Sequence, residues 1–296
     1  MNKSFTLIEI LVVIVIVGIL SAFIIVSMAG VSSRATIAKG QAFSSSLKNS
    51  LMLNLVSEWR LDDASGTTAQ DHWGANTGTW YGAGGGSYTS PSWRTASECV
   101  SKGCLAFDGT DDYVNCGNGT NLNITSMITI SVWVKIAIAK DGGYIVAKGW
   151  EDSYDLKTNL NRTVTVVFTN SITPYIKVFI TSPSSLNLNT WYYITATHDG
   201  SIPKLYINGI LVASSNWNYA IMTTSQSLKI GAANIGYDTW LNGSIDDVRI
   251  YNAAVPTSQI QENYYSGLNR LLANKSVESR EYAERLVEIL DSLGEN

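Results

Sequence analysis

The stretch ITISVWVKI, residues 128–136, decides the fold. Ile128, Ile130, Val132 and Val134 alternate with Thr129, Ser131 and Trp133, so an extended chain carries one wholly aliphatic row on a single side. Downstream, KLYINGILVAS (204–214) sets Asn208-Gly209 between two apolar runs, the strongest short-range signal of a β-hairpin. Comparable runs recur at SEWRL (57–61), CLAF (104–107), TVTVVF (163–168), YIKVFI (175–180), WYYITATH (191–198) and SIDDVRIY (244–251), separated by turn residues. Many strands with no crossover helices between them imply an antiparallel sandwich, which we assign to residues 57–267.

Composition agrees with a packed protein. The 296 residues are 45% hydrophobic and 15% charged, which argues against extended disorder. The net charge of -4, without a Lys/Arg run, gives no indication of nucleic acid. Cys99, Cys104 and Cys116 allow one disulfide. The close pair Cys99 and Cys104 in ECVSKGC is the favoured bridge, and a hairpin bringing Cys104 to Cys116 is the alternative. His72 and His198 are the only histidines and no Cys-x-x-Cys occurs, so zinc is not supported.

Before the sandwich lies a different kind of sequence. Leu7 to Val31 is apolar over a length that crosses about 30 Å of hydrocarbon as a helix, with Lys3 before it and Arg34, Lys39 and Lys48 after it. Glu9 sits inside the run, where an unpaired carboxylate costs about 2.5–3.5 kcal/mol or more near a bilayer centre. Ile37, Phe43, Leu47, Leu51 and Leu55 then recur at helical spacing, so the helix is expected to run from Phe5 to Val56 as a rod of roughly 78 Å.

The segment KS followed by FTLIEILVVIVIVGILSA (5–22) resembles the N-terminus of type IV prepilins and pseudopilins. That resemblance implies a leader of residues 1–4, cleavage by a prepilin peptidase between Ser4 and Phe5, and N-methylation of the new Phe5 amine. It also gives Glu9 a partner, the Phe5 amine of a neighbouring subunit in a helical filament core. Two departures stand out: Ser4 replaces the usual Gly before the cut, and no Pro occurs near Val26, where many members have one.

The sandwich carries a second resemblance. EWRLDDASGTTAQDHWGANTGTW (58–80), CLAFDGTDDYVNCG (104–117), ITISVWVK (128–135) and LKIGAANIGYDTWLNGSIDDVRIYNAAVPTSQIQENYYSG (228–267) follow one another as in a laminin G-like domain of the concanavalin A-like jelly-roll type. Such domains bind carbohydrate or protein ligands and often hold calcium. A structural calcium ion would draw its oxygens from Asp71 and Asn76 in QDHWGANTG and from Asp246 in GSIDD, unless these residues serve as turn formers and caps. FDGTDD (107–112) is acidic as well, but Asp108-Gly109 is first of all a turn. Of nine tryptophans, Trp59, Trp133 and Trp191 fall in strand patterns, whereas Trp73, Trp150, Trp217 and Trp240 lie among Gly, Asn and Asp as candidates for a sugar-stacking platform or for packing. No strand carries the spaced carboxylates of a glycoside hydrolase and no Ser-His-Asp set can be argued, so an enzyme is not expected.

After residue 267 the pattern turns helical. Val277, Leu286, Ile289, Leu290 and Leu293 form a stripe, and Glu281 and Arg285 stand at i,i+4, so 268–296 is read as one amphipathic helix. The expectation is a long N-terminal helix, an all-β jelly roll and a short C-terminal helix. The whole is expected to act as a pilin-like subunit: inserted in the cytoplasmic membrane as a precursor, then polymerised by assembly machinery with identical or related subunits into a cell-surface filament. The alternative is a minor or tip adhesin, or a pseudopilin of a secretion or DNA-uptake machine, whose head binds glycan or protein.

Overall fold

The computed structural model describes residues 52–82, 92–233 and 239–294. The chain divides into two units, Met1–Leu53 and Asn54–Asn296, and the second holds the strands and helices described below. Ser4, Phe5 and Glu9, with the leader and nearly all of the expected N-terminal helix, lie outside the described residues. Among the described residues no helix is long and apolar enough to cross a membrane.

Strands follow one another from the start of this unit: β1 (Leu55–Trp59), β2 (Thr68–Ala69), β3 (Gly78–Tyr81), β4 (Ser92–Thr95), β5 (Gly103–Asp108) and β6 (Tyr113–Asn115). The central strands are β7 (Ile128–Ile138), β8 (Gly143–Lys148), β9 (Tyr154–Thr158), β10 (Val164–Thr169) and β11 (Lys177–Thr181). Then come β12 (Trp191–His198), β13 (Pro203–Ile207), β14 (Ile210–Ser214), β15 (Leu228–Ile230) and β16 (Asn242–Tyr251). Two helices close the chain, α1 (Thr257–Ala273) and α2 (Ser279–Gly294).

One sheet runs β14-β13-β12-β7-β16-β5-β4, with β1 beside the second half of β16; the other runs β11-β10-β9-β8-β15-β6-β3-β2. The Asn208-Gly209 turn has positive φ at both residues, 53° and 82°, as a two-residue hairpin with right-handed strand twist requires. The aliphatic row of β7 enters the common core with Ile194, Leu205, Ile245 and Ile250 of its own sheet and Tyr154, Leu156, Val166 and Ile230 of the other.

The opposite face of β7 is buried too, because α1 lies across it. Tyr264 stacks on Trp133 at 5.6 Å and lies 6.5 Å from Tyr193. Gly267 lets the helix approach, since a Cβ there would stand 2.3 Å from the Trp133 ring. Beside this contact, Arg249 pairs with Glu58 at 2.8 Å and Arg270 with Asp247 at 2.6 Å, which ties α1 and β1 to β16 through charge. Burial works against the Arg249 charge, but Asp247 and Glu58 outweigh it and hold the guanidinium firmly protonated.

Two sequence boundaries move. Leu55 and Val56, expected at the end of a helix, are buried in β1, where the ladder to β16 outweighs their helical spacing. The expected single helix over 268–296 is two helices, the first starting inside the assigned sandwich. The break falls where residues 97–101 capture the chain: the Asn274 side-chain amide donates to Ser101 O at 3.0 Å, and Ser276 Oγ to Ser97 O at 2.8 Å. The Cys99–Cys104 disulfide closes that segment and Cys116 is a buried free thiol, as the favoured pairing had it. On α2 the expected Glu281–Arg285 pair forms, and Arg285 is buried with its guanidinium on Trp191 O at 2.9 Å. Val277 and Ile289 are buried, whereas Leu290 of the expected stripe faces outward.

Candidate ligand-binding face

Helix α1 covers the outer side of the first sheet around Trp133. The outward side of the second sheet is buried at its middle, at Lys229, Ala147, Asp155 and Val167, and exposed toward its edges, at Tyr81 and Phe179. Strand register fixes what it carries. Thr79, Asn115, Lys229, Ala147, Asp155, Val167 and Phe179 stand opposite one another across seven strands as one row. The residues pointing the other way, such as Val166, Leu156 and Ile230, are core.

Aromatic rings flank this row. Tyr81 stacks on Tyr113 at 5.1 Å, and Tyr113 meets Trp240 at 5.8 Å. Toward the other edge the Lys157 ammonium lies 5.3 Å from the Tyr144 ring centroid and 5.9 Å from that of Phe179, in cation–π range. Tyr81 and Phe179 are about half exposed, at 46% and 52%. Glu151 receives Lys157 at 2.7 Å and Lys177 at 3.1 Å. Burial would raise the Glu151 carboxyl, but these two lysines outweigh it and keep the group below the usual carboxylate range.

The loop carrying Glu151 is pinned to the sheet. Glu151 N donates to Asp155 Oδ2 at 2.5 Å, and Thr169 Oγ1 donates to Glu151 O at 2.7 Å. Asp155 is fully buried, and burial pushes its carboxyl well above the ordinary value. Trp150 is thereby held at 43% exposure on a fixed turn. Half-exposed rings beside fixed charged and hydroxyl groups suit a polar ligand with apolar faces, the chemistry of a sugar ring.

The expected tryptophan platform does not form as a set of four. Trp217 is buried against Phe168 and His198, with ring centroids 6.1 and 5.2 Å away. Trp240 is 8% exposed, its ring taken up by Tyr113. Trp73 is 46% exposed, on the turn after Asp71. Tyr81, Tyr113, Lys157 and Phe179 were not singled out from sequence. For Phe179 the signal was present in YIKVFI, where Lys177 and Phe179 alternate with buried Val178 and Ile180.

The calcium site expected at Asp71, Asn76 and Asp246 does not fit either. Asp71 accepts four backbone N–H groups, from Glu58 (3.0 Å), Trp73 (3.1 Å) and Gly74 (2.9 Å) on Oδ1 and from Asn76 (2.9 Å) on Oδ2. Burial opposes the charge, yet these donors outweigh it and hold Asp71 below the usual range, so its lone pairs already serve the chain. Asn76 donates to Ser57 Oγ, and Asp246 Oδ2 accepts Val100 N and Ser101 N, each at 2.9 Å. Among the described residues, the carboxylates close enough to share a cation are Asp108, Asp111 and Asp112, within 4.8 Å of one another. Their loop is braced as a turn: Asp112 Oδ2 accepts Asp108 N at 2.7 Å, and the Lys140 ammonium donates to Gly109 O at 2.6 Å.

Two antiparallel sheets packed face to face, the first with helix α1 across its outer side, make a sandwich of the concanavalin A-like kind. Residues 108–261, just over half of the chain, match the laminin G-type family model described as the concanavalin A-like lectin/glucanases superfamily, and the chain belongs to that superfamily. Residues 1–25 match the prokaryotic N-terminal methylation motif. No curated protein matches significantly.

Similar solved structures include the binding domain of Paraclostridial Mosquitocidal Protein 1, at 16% identity and TM-score 0.58, covering 74% of this chain and 53% of that one. Domain 4 of AbnA, a GH43 extracellular arabinanase from Geobacillus stearothermophilus solved with arabinotriose, aligns at 18% identity and TM-score 0.54, covering 71% and 97%. Trypanosoma rangeli sialidase, in complex with the inhibitor DANA, aligns at 15% identity and TM-score 0.52, covering 71% and 32%. The chain thus spans about half of the mosquitocidal-protein domain and nearly all of the arabinanase domain. At these identities the likeness is one of fold.

Proposed function

We propose that this chain is a type IV pilin-like subunit that polymerises through its N-terminal segment and displays the sandwich as a ligand-binding head on a cell-surface filament. The observation that carries the reading is the methylation motif at residues 1–25 joined to a lectin-like domain. In this reading the precursor sits in the cytoplasmic membrane, a prepilin peptidase cuts between Ser4 and Phe5, and the assembly machinery packs neighbouring subunits. The Phe5 amine of one subunit then neutralises Glu9 of the next, which offsets the cost of burying either charge.

The head acts as a binding module, with Tyr81, Tyr113, Trp150 and Phe179 as stacking surfaces for glycan and Lys157, Lys177 and Glu151 as its polar anchors. Those half-exposed rings also favour a second reading, in which the chain is a minor or tip subunit acting as an adhesin; subunit abundance in the filament separates the two. Mass spectrometry of sheared surface filaments tests the core of the proposal. A tryptic peptide beginning at N-methylated Phe5 is the expected result, and a chain beginning at Met1 and confined to membranes overturns it.

A further inference from the structure

A strap of chain passes from one sheet to the other beside a buried histidine. Residues 215–222 run from β14 of the first sheet toward β15 of the second. Three backbone bonds hold the strap down: Trp217 N donates to Ser201 O at 2.9 Å, Ile221 N to Thr125 O at 2.8 Å and Met222 N to Thr169 O at 2.7 Å. Trp217 and Ile221 are buried in the common core.

His198, the last residue of β12, is fully buried against this strap. Its ring centroid lies 5.2 Å from that of Trp217 and 5.6 Å from that of Phe168. Nε2 stands 3.3 Å from Tyr219 O, in the middle of the strap. A carbonyl oxygen only accepts, so Nε2 carries the proton of the neutral ring and Nδ1 is the bare nitrogen. Among the described residues Nδ1 has no hydrogen-bond partner. A second proton on the ring therefore brings a buried charge and an N–H with nothing to accept it.

Asp199 is the one carboxylate that draws a proton to this ring, and its Oδ1 already accepts Ser201 N at 3.0 Å and Ile202 N at 2.7 Å and feels Lys204 of β13. The other elements against His198 bring Phe168 of β10, Trp217 and Tyr219 of the strap, and Ile128 of β7 and Pro203 of β13 across the ladder, none of them a carboxylate or an amine. Burial outweighs the pull of Tyr219 O and Asp199 and holds the imidazole below the usual histidine range.

We propose that His198 is a pH-sensitive latch on the strap, closed while the imidazole is neutral and released when it takes a proton in mild acid. The Met222 carbonyl accepts Ser153 Oγ at 2.5 Å, so the strap also braces the turn that carries Trp150, and release loosens that ring; the latch itself does not rest on the glycan reading. The open strap returns His198 to its ordinary value near 6.5. Opening is therefore indifferent to pH above that value and gains below it, by up to about tenfold per pH unit, until the folded value is passed.

The test is hydrogen–deuterium exchange of the full chain in detergent micelles, read on peptides covering 215–222 and corrected for intrinsic exchange. Protection there should fall at least about threefold between about pH 7.5 and pH 5, while that of 128–136 on β7 holds. His198→Phe, which fills the apolar site with a ring that gains no proton, should abolish the change. His72→Gln, which leaves His198 as the only histidine, should keep it. In that His72→Gln chain the histidine NMR signal should titrate with a midpoint below about 6.5, a readout that stands even where the phenylalanine variant fails to fold. Protection at 215–222 that ignores pH, a β7 that loosens in step with it, a response that survives His198→Phe, or a histidine midpoint at or above about 6.5 overturns the proposal.

Discussion

Replacing Asp71 with Asn separates a structural carboxylate from a metal ligand. Asn keeps one oxygen but turns an NH2 toward the Asn76 N–H, leaving a donor facing a donor. One buried N–H then lacks an acceptor, at about 1–3 kcal/mol, and three charge-assisted bonds become neutral ones, at about 1 kcal/mol each. Because the four bonds share one side chain, the losses do not add fully, and about 3–5 kcal/mol is the expected cost. In a unit of this size that lowers Tm by about 10 °C in a thermal melt followed by circular dichroism.

The pH dependence has a definite sign. The folded-state Asp71 is held below its ordinary value, so its contribution is complete above the unfolded value near 4 and is lost as pH falls through the folded one. The gap between wild type and variant should therefore narrow in strong acid. Chelator should leave both melts unchanged. A variant within about 2 °C of wild type refutes the bonding argument, and a chelator effect confined to wild type would restore a cation at this turn.

Gly267→Ala places a methyl against the Trp133 ring and should cost about 1–3 kcal/mol of overpacking despite about 1 kcal/mol of gained helix propensity. Limited proteolysis should then cut within 257–294 faster, and an unchanged digest would refute the close approach. Asp155→Asn removes a buried acid whose raised folded value makes its stability contribution fall as pH rises. Urea titration should find the variant gaining on wild type as pH rises above about 4, and a constant difference would refute a raised Asp155 carboxyl. Glu9→Ala should spare membrane insertion but impair filament growth in a surface-shear assay, and normal filaments would remove Glu9 from assembly.

What the sequence disclosed lay in its periodicities. The row Ile128, Ile130, Val132, Val134 had one reading, and the Asn208-Gly209 hairpin another, because alternation and φ > 0 are local properties. The site was less legible because it depends on which residues meet across strands far apart in the chain. Tyr81 and Tyr113 stack through a register between β3 and β6 that neither segment encodes alone. Trp217 and Trp240 sit among the same loop residues as Trp150, yet only Trp150 is half exposed, since burial depends on which loops fold back over the rings. The helix break at Asn274 was hidden for a similar reason: its cause is the segment at 97–101, more than a hundred and seventy positions away.

The placement of β1 has a mechanical consequence. Any pull on the chain before Asn54 enters the sandwich through this one strand. β1 is lashed to β16 by its ladder and by the Glu58–Arg249 pair, and Trp59 is locked by its indole N–H on Asn76 O at 2.8 Å. β16 in turn pairs with β7 and β5, so tension spreads at once into the middle of the sheet instead of unzipping an outer edge. The load path then lies in the first sheet, and the second sheet, with Tyr81 and Phe179 at its edges, stays outside it.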